Sequence, residues 1–172
     1  LRGYEPQSIP EDGDFSEETL GRDVLNVLDA LGVQRAHLVG HDWGAAIAYR
    51  AANLSPDRFL SLTTMAVPHS GRFLNDAFTY PKQALMSWYM LFFQLRGIAD
   101  YWVARNDFAF LRWLWRRWSP GWAIPEDEFQ ALRETMSKPG VLRAALAYYR
   151  TALSLSALPV SSARRAANCF QV

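Results

Sequence analysis

Residues 40–44 read "GHDWG", inside the longer run "AHLVGHDWGAAIAYRAA" that spans residues 36–52. The apolar residues before Gly40 have the character of a short buried strand, and the small residues after Gly44 that of a helix. A glycine on each side of one central residue gives a sharp strand-turn-helix elbow that projects the central side chain outward. That central residue is Asp42. Two readings follow for it: a cap on the following helix, or a carboxylate presented for chemistry.

The flanks decide the fold class. Upstream, "SEETLGRDVLNVLDALGV" (16–33) spaces Leu20, Val24, Val27, Leu28 and Leu31 as one helical face, with Ser16 as N-cap, Glu17 and Glu18 in the first turn and Gly32 at the end. Downstream, "RFLSLTTMAV" (58–67) reads as a second strand, and the helix between the strands stops before Pro56. Strand, helix, strand in that order predicts a parallel pair joined by a right-handed crossover, hence an α/β core. After Pro81 the chain turns aromatic and helical in "PKQALMSWYMLFFQL", "ADYWVARNDFAFLRWLWRRW", "PEDEFQALRETMS" and "GVLRAALAYYRTALSL", which predicts four helices. Such a block following an α/β core fits a lid over the carboxyl edge of the sheet, where α/β proteins bind ligands.

Composition sets outer limits. The 172 residues are 50% hydrophobic with a net charge of +1, so the chain can bury a core and gives no global electrostatic case for nucleic acid or an anionic membrane. One cysteine, Cys169, excludes an internal disulfide and points weakly to a reducing, cytoplasmic setting. No signal pattern opens the chain, and "ALMSWYMLFF" is too short to span a bilayer. No histidine–carboxylate cluster has metal-ligand spacing and no glycine-rich phosphate loop occurs, so neither metal nor nucleotide cofactor is expected.

A carboxylate in an elbow implies a defined chemistry. An aspartate is anionic at neutral pH without help from a base. It displaces a leaving group from an sp³ carbon to give an alkyl ester, which water then hydrolyses through a tetrahedral oxyanion. The Trp43 backbone N–H is the natural donor to that oxyanion. The reaction class is two-step hydrolysis of a C–O or C–halogen bond.

The stretch "GHDWGAAIAYRAA", followed by "AVPHSGRF" (66–73) and "SWYMLFFQLRGIAD" (87–100), resembles the α/β-hydrolase epoxide hydrolases, relatives of the haloalkane dehalogenases. The opening "LRGYEPQS" is similar to the family's "DLRGYG-S" segment, and the likeness runs to about Leu158. The resemblance implies Asp42 as nucleophile, and two lid tyrosines as hydrogen-bond donors to the epoxide oxygen. They map to Tyr89, ahead of "FFQLRG", and Tyr149, the last tyrosine of "YYR". Tyr80, Tyr101 and Tyr148 are read as structural. The Trp43 indole keeps halide binding, and hence a dehalogenase, as an alternative.

The chain departs from the family at Arg96, where a proline is usual, and at Glu5, where a glycine is usual. It also lacks the family's "HGFP"-like oxyanion loop and its later acid–histidine pair. His37 precedes the first strand; His41 is expected to pack beneath the turn, and His69, following the second strand, is the candidate base. The tail "SSARRAANCFQV" has no strand pattern. The expectation is a partial α/β-hydrolase core with the elbow over 1–78, a helical cap over 79–156 and a disordered tail over 157–172. Its substrate would be a small epoxide or haloalkane. Incomplete coverage of the sheet predicts poor solubility. A third reading, a non-catalytic interaction or membrane-surface module, rests on "FLRWLWRRW" (110–118), although arginine–tryptophan stripes suit a lid helix as well.

Overall fold

The computed structural model of the protein describes residues 1–69 and 81–153. The expected boundary between core and cap, Tyr80 and the tail after 153 lie outside the described residues.

The core opens with α1 (Glu17–Ala30), β1 (Ala36–His41), α2 (Trp43–Leu54) and β2 (Phe59–Met65). Ser16 caps α1, its hydroxyl accepting from the Thr19 N–H at 3.3 Å, while Glu17 and Glu18 sit at the positive end of the helix. β1 and β2 pair in parallel, with Val39 opposite Thr63, Gly40 opposite Thr64 and His41 opposite Met65. Leu38, Gly40, Leu62 and Thr64 share the covered face, and a hydrogen bond of 2.7 Å between the Tyr49 and Thr64 hydroxyls ties α2 to β2 there.

The α1 face is only partly buried, unlike the expectation. Leu20 is buried, but Val27 and Leu31 are 57% and 70% exposed. The cause is close approach of α1 to α2 on one side: a Cβ on Gly21 would lie 2.8 Å from the Arg50 Cγ and 3.1 Å from the Ala51 nitrogen. Contact is thereby concentrated at Leu20 and Gly21, and the far flank of the stripe, Val27 and Leu31, stays largely exposed.

The other face of the sheet is open. His37, Val39 and His41 on β1 and Ser61, Thr63 and Met65 on β2 are all exposed, with a 2.8 Å bond between the His37 ring and the Ser61 hydroxyl crossing the pair. Apolar area on an unpaired sheet face favours association. A Val39→Lys, Met65→Lys double variant is expected to stay monomeric at roughly tenfold higher concentration than the parent chain, as read by sedimentation velocity.

The lid comprises α3 (Pro81–Met86), α4 (Trp88–Phe92), α5 (Ile98–Trp118), α6 (Glu126–Ser137) and α7 (Val141–Ala152). Two of the four expected helices are interrupted. The first divides at Ser87. The second breaks inside α5, where Asn106, Asp107 and Phe108 all take positive φ, a left-handed run that Asn and Asp tolerate and that a periodicity of apolar residues does not reveal. Phe93, Val103, Leu114, Ile124, Phe129 and Leu146 form the lid's own core. The Arg112 guanidinium stacks 3.9 Å above the Phe129 ring and pairs with Glu126 at 2.7 Å.

Helix α7 seats the lid on the core. Ala144 and Tyr148 pack with Phe15, Leu20 and Ile47 in a second buried cluster. A Cβ on Gly3, at φ +83°, would meet the Ala144 Cβ at 2.8 Å, so the opening segment lies directly on the helix. The Tyr148 hydroxyl donates to the Arg2 carbonyl at 2.6 Å, and Lys138 pairs with Glu5 at 2.8 Å.

Candidate active site

The elbow forms at the carboxyl end of β1. Asp42 has φ 53° and ψ −122°, a backbone region that costs a non-glycine residue about 1–3 kcal/mol and persists only where surrounding structure imposes it. Its N–H donates to the Met65 carbonyl at 3.2 Å, and its own carbonyl accepts from Ala45 and Ala46, starting α2. Ala66, one residue beyond β2, is also at positive φ, 70°, so strain collects at the carboxyl edge of both strands.

The capping reading of Asp42 fails on geometry. Its side chain makes no cap hydrogen bond, and the residue is exposed. The Trp43 N–H, the first of α2, has no acceptor among the described residues. Among the described residues, the elbow thus holds a carboxylate and a backbone donor on adjacent residues with no hydrogen-bond partner.

The lid brings Tyr89 of α4 and Tyr149 of α7 together over this point. Their ring centroids are 5.8 Å apart, edge to face, and the Trp43 ring stands edge-on to Tyr149 at 5.2 Å. Burial pushes the Tyr149 hydroxyl well above the usual phenol range, with the Asp42 charge adding to the rise and a hydrogen bond from the Trp43 indole opposing it. The Tyr89 hydroxyl is pushed up by the same two causes, burial first and the Asp42 carboxylate second. Both phenols therefore stay protonated across the neutral and mildly alkaline range, close enough to the carboxylate to feel its charge. Asp42, Trp43, Tyr89 and Tyr149, named from sequence, are assembled in one place.

The remaining side chains divide cleanly. Tyr148 is fully buried with its hydroxyl on the Arg2 carbonyl, and Tyr101 is exposed under the Arg105 guanidinium. His41 is a correction: it is exposed on the open face of the sheet and not packed beneath the turn, because strand alternation places it with Val39 on the side that nothing covers among the described residues. His69 stands edge-on to the Tyr49 ring at 5.2 Å. In the "FLRWLWRRW" stretch Leu114 is buried, Trp115 packs on the lid core, Arg116 and Arg117 are exposed, and the half-exposed Trp113 and Trp118 rings pack on Phe110 and, edge-on at 5.0 Å, on Tyr89. No helix among the described residues is long and apolar enough to cross a membrane. Sequence reasoning missed Tyr4. Its half-buried ring lies 6.0 Å from Tyr148, and its hydroxyl is raised by burial and then by the Asp42 charge. No periodicity marks it, since it lies in an irregular segment.

The family described as alpha/beta hydrolase fold matches residues 1–129. The chain belongs to the α/β-hydrolase family. Within it, this α/β-hydrolase is 30% identical over 160 residues to human epoxide hydrolase 4, covering 90% of this chain and 44% of that protein. The fold superposes on a variant of a candidate epoxide hydrolase from Pseudomonas aeruginosa with a TM-score of 0.78 at 27% identity, over 91% of this chain and 54% of the other. It also superposes on a Bacillus megaterium epoxide hydrolase variant complexed with its product, (R)-3-[1]naphthyloxy-propane-1,2-diol, with a TM-score of 0.66 at 28% identity, over 79% of this chain and 48% of the other. The chain spans about half the length of these relatives.

Proposed function

We propose that this α/β-hydrolase opens epoxides by alkylation of Asp42. The observation that carries the reading is the pairing of an uncapped elbow carboxylate with two protonated lid phenols that sense its charge. One Asp42 oxygen attacks an epoxide carbon, forming an ester C–O bond as the ring C–O bond breaks. The departing oxygen takes a proton from Tyr89 or Tyr149, giving a hydroxyalkyl ester and a tyrosinate that reprotonates from solvent. Hydrolysis of the ester adds water to its carbonyl, with the Trp43 N–H donating to the oxyanion, and releases a diol. That second half needs a general base. In the family that the resemblance points to, an acid–histidine pair supplies it.

The likeness to enzymes named as epoxide hydrolases, one holding an aryloxy diol, supports an aryl epoxide as the test substrate. The two phenols gathered beside Trp43 can donate a proton to an alkoxide leaving group, which a halide does not need, and this favours the epoxide. Incubation with an aryl glycidyl ether is expected to add one substrate mass to the intact chain, with Asp42→Asn showing none. Asparagine tolerates positive φ, so that control keeps the elbow. Halide release from an alkyl bromide without any epoxide adduct would overturn the reading.

A further inference from the structure

The lid carries a polar device that the reaction above does not use. Residues 93–94 after α4 and residues 149–150 on α7 exchange hydrogen bonds reciprocally. The Gln94 side-chain amide donates to the Tyr149 carbonyl at 3.0 Å and to the Met90 carbonyl at 2.9 Å, and the Arg150 Nε donates to the Phe93 carbonyl at 2.9 Å. The Arg150 fork is closed by Asp100, at 2.6 Å from Nη2 and 3.3 Å from Nη1. Asp100 in turn accepts the Gly97 N–H at 2.8 Å, fixing the turn into α5. Only 8% of the Arg150 side chain is exposed, against 25% for Asp100, so this is a largely desolvated pair.

A lid core of Phe, Val and Leu holds helices together without side-chain charges, and burying an ion pair is seldom the cheapest route to stability. What the pair and the amide supply is direction. The Gln94 and Arg150 bonds all end on, or run from, the segments that carry Tyr89 and Tyr149, residues 89–94 and 149–150, and the Phe93 N–H closes the circuit by donating to the Tyr89 carbonyl at 2.9 Å. Apolar contacts between the two rings allow sliding, whereas directed bonds set one register between α4 and α7.

We propose that Gln94, Arg150 and Asp100 are positioning residues that fix the spacing of the Tyr89 and Tyr149 hydroxyls over Asp42. This rests on the epoxide-opening reading only for its kinetic consequence; the geometric claim stands without it.

The test is a double-substitution cycle read by the rate of adduct formation on Asp42. Gln94→Met, which keeps volume and introduces no buried charge, is expected to slow alkylation about 10- to 100-fold, the cost of displacing a reacting group by about 1 Å. In a Tyr89→Phe, Tyr149→Phe background the same substitution should cost less than about twofold, because both groups it positions are already gone. Arg150→Met should behave alike, with partial rescue by Arg150→Lys. Equal fold-losses in both backgrounds would make the brace merely structural and overturn the proposal. If the parent chain forms no adduct, the functional reading fails and the brace is read by fluorotyrosine NMR. The Tyr149 resonance, assigned by its loss in Tyr149→Phe, is expected to move in Gln94→Met while that of Tyr101 stays fixed. An unmoved Tyr149 resonance would overturn the proposal.

Discussion

Replacing Tyr149 by phenylalanine is expected to slow ester formation on Asp42 about 100-fold, and Tyr89→Phe together with it about 1,000- to 10,000-fold, the range that positioned proton donors contribute. An epoxide oxygen leaves as an alkoxide, the least favourable charge to release into a site walled by Trp43, Phe93 and the two tyrosine rings. Tyr149 is the larger single loss because its ring sits against both Trp43, at 5.2 Å, and Tyr89, at 5.8 Å, at the centre of the cluster. The sign of the pH dependence follows. Phenols raised above about 10 keep their protons, so the rate should not fall between pH 8 and pH 10 on their account. Stability follows the same linkage: the folded chain holds a proton that the unfolded chain gives up, so stability declines as pH climbs past about 10, and Tyr149→Phe flattens that decline. An alkyl bromide, whose leaving group needs no proton, should alkylate Asp42 equally in parent and double variant. Intact-mass time courses with the two reagents measure both rates. Equal rates with the epoxide as well would return the tyrosines to plain packing residues.

What could be read from sequence and what could not divides along local and non-local lines. The elbow was legible because it is local: a strand, a turn and a helix, all within residues 36–54, produce it, and the structure forms each where the pattern puts it. Ser16 and the first turn of α1 were legible for the same reason. The placement of Tyr89 and Tyr149 came from family likeness; in periodicity alone they are two rings among many. The break at Arg105–Phe108 was hidden because the apolar spacing on its two sides reads as one continuous helix. The exposed flank of α1 and the exposure of His41 were hidden because both depend on what covers a face, which a pattern of apolar residues presupposes and does not test. The brace at Gln94 and Arg150 joins positions 55 and 57 residues apart, beyond the reach of any spacing argument.

The two glycines of the elbow look alike in sequence, yet they should respond oppositely to alanine. A Cβ on Gly40 would lie 2.3 Å from the Gly44 oxygen, 2.7 Å from the Gly44 carbonyl carbon and 2.8 Å from the Ala45 Cα, all of them backbone. No rotamer change relieves such a clash; α2 would have to lift from β1 by about 1 Å to restore ordinary contact. α2 is held from both sides, by the Tyr49–Thr64 bond to β2 and by Gly21 of α1 pressed against Ala51. Gly40→Ala is therefore expected to cost about 3 kcal/mol, the upper end of overpacking, or about 10 °C in melting temperature for a chain of this size. Because the lifted helix carries Asp42 and Trp43 away from the lid tyrosines, adduct formation should disappear even where folded protein remains. A Cβ on Gly44 meets nothing within 4 Å, and its φ is not positive, so Gly44→Ala should be neutral or stabilising by about 0.5–1 kcal/mol through helix propensity. Thermal melts of the two single variants beside the parent measure the contrast. Equal losses at both positions would mean that the turn, and not the contact of strand with helix, sets the elbow.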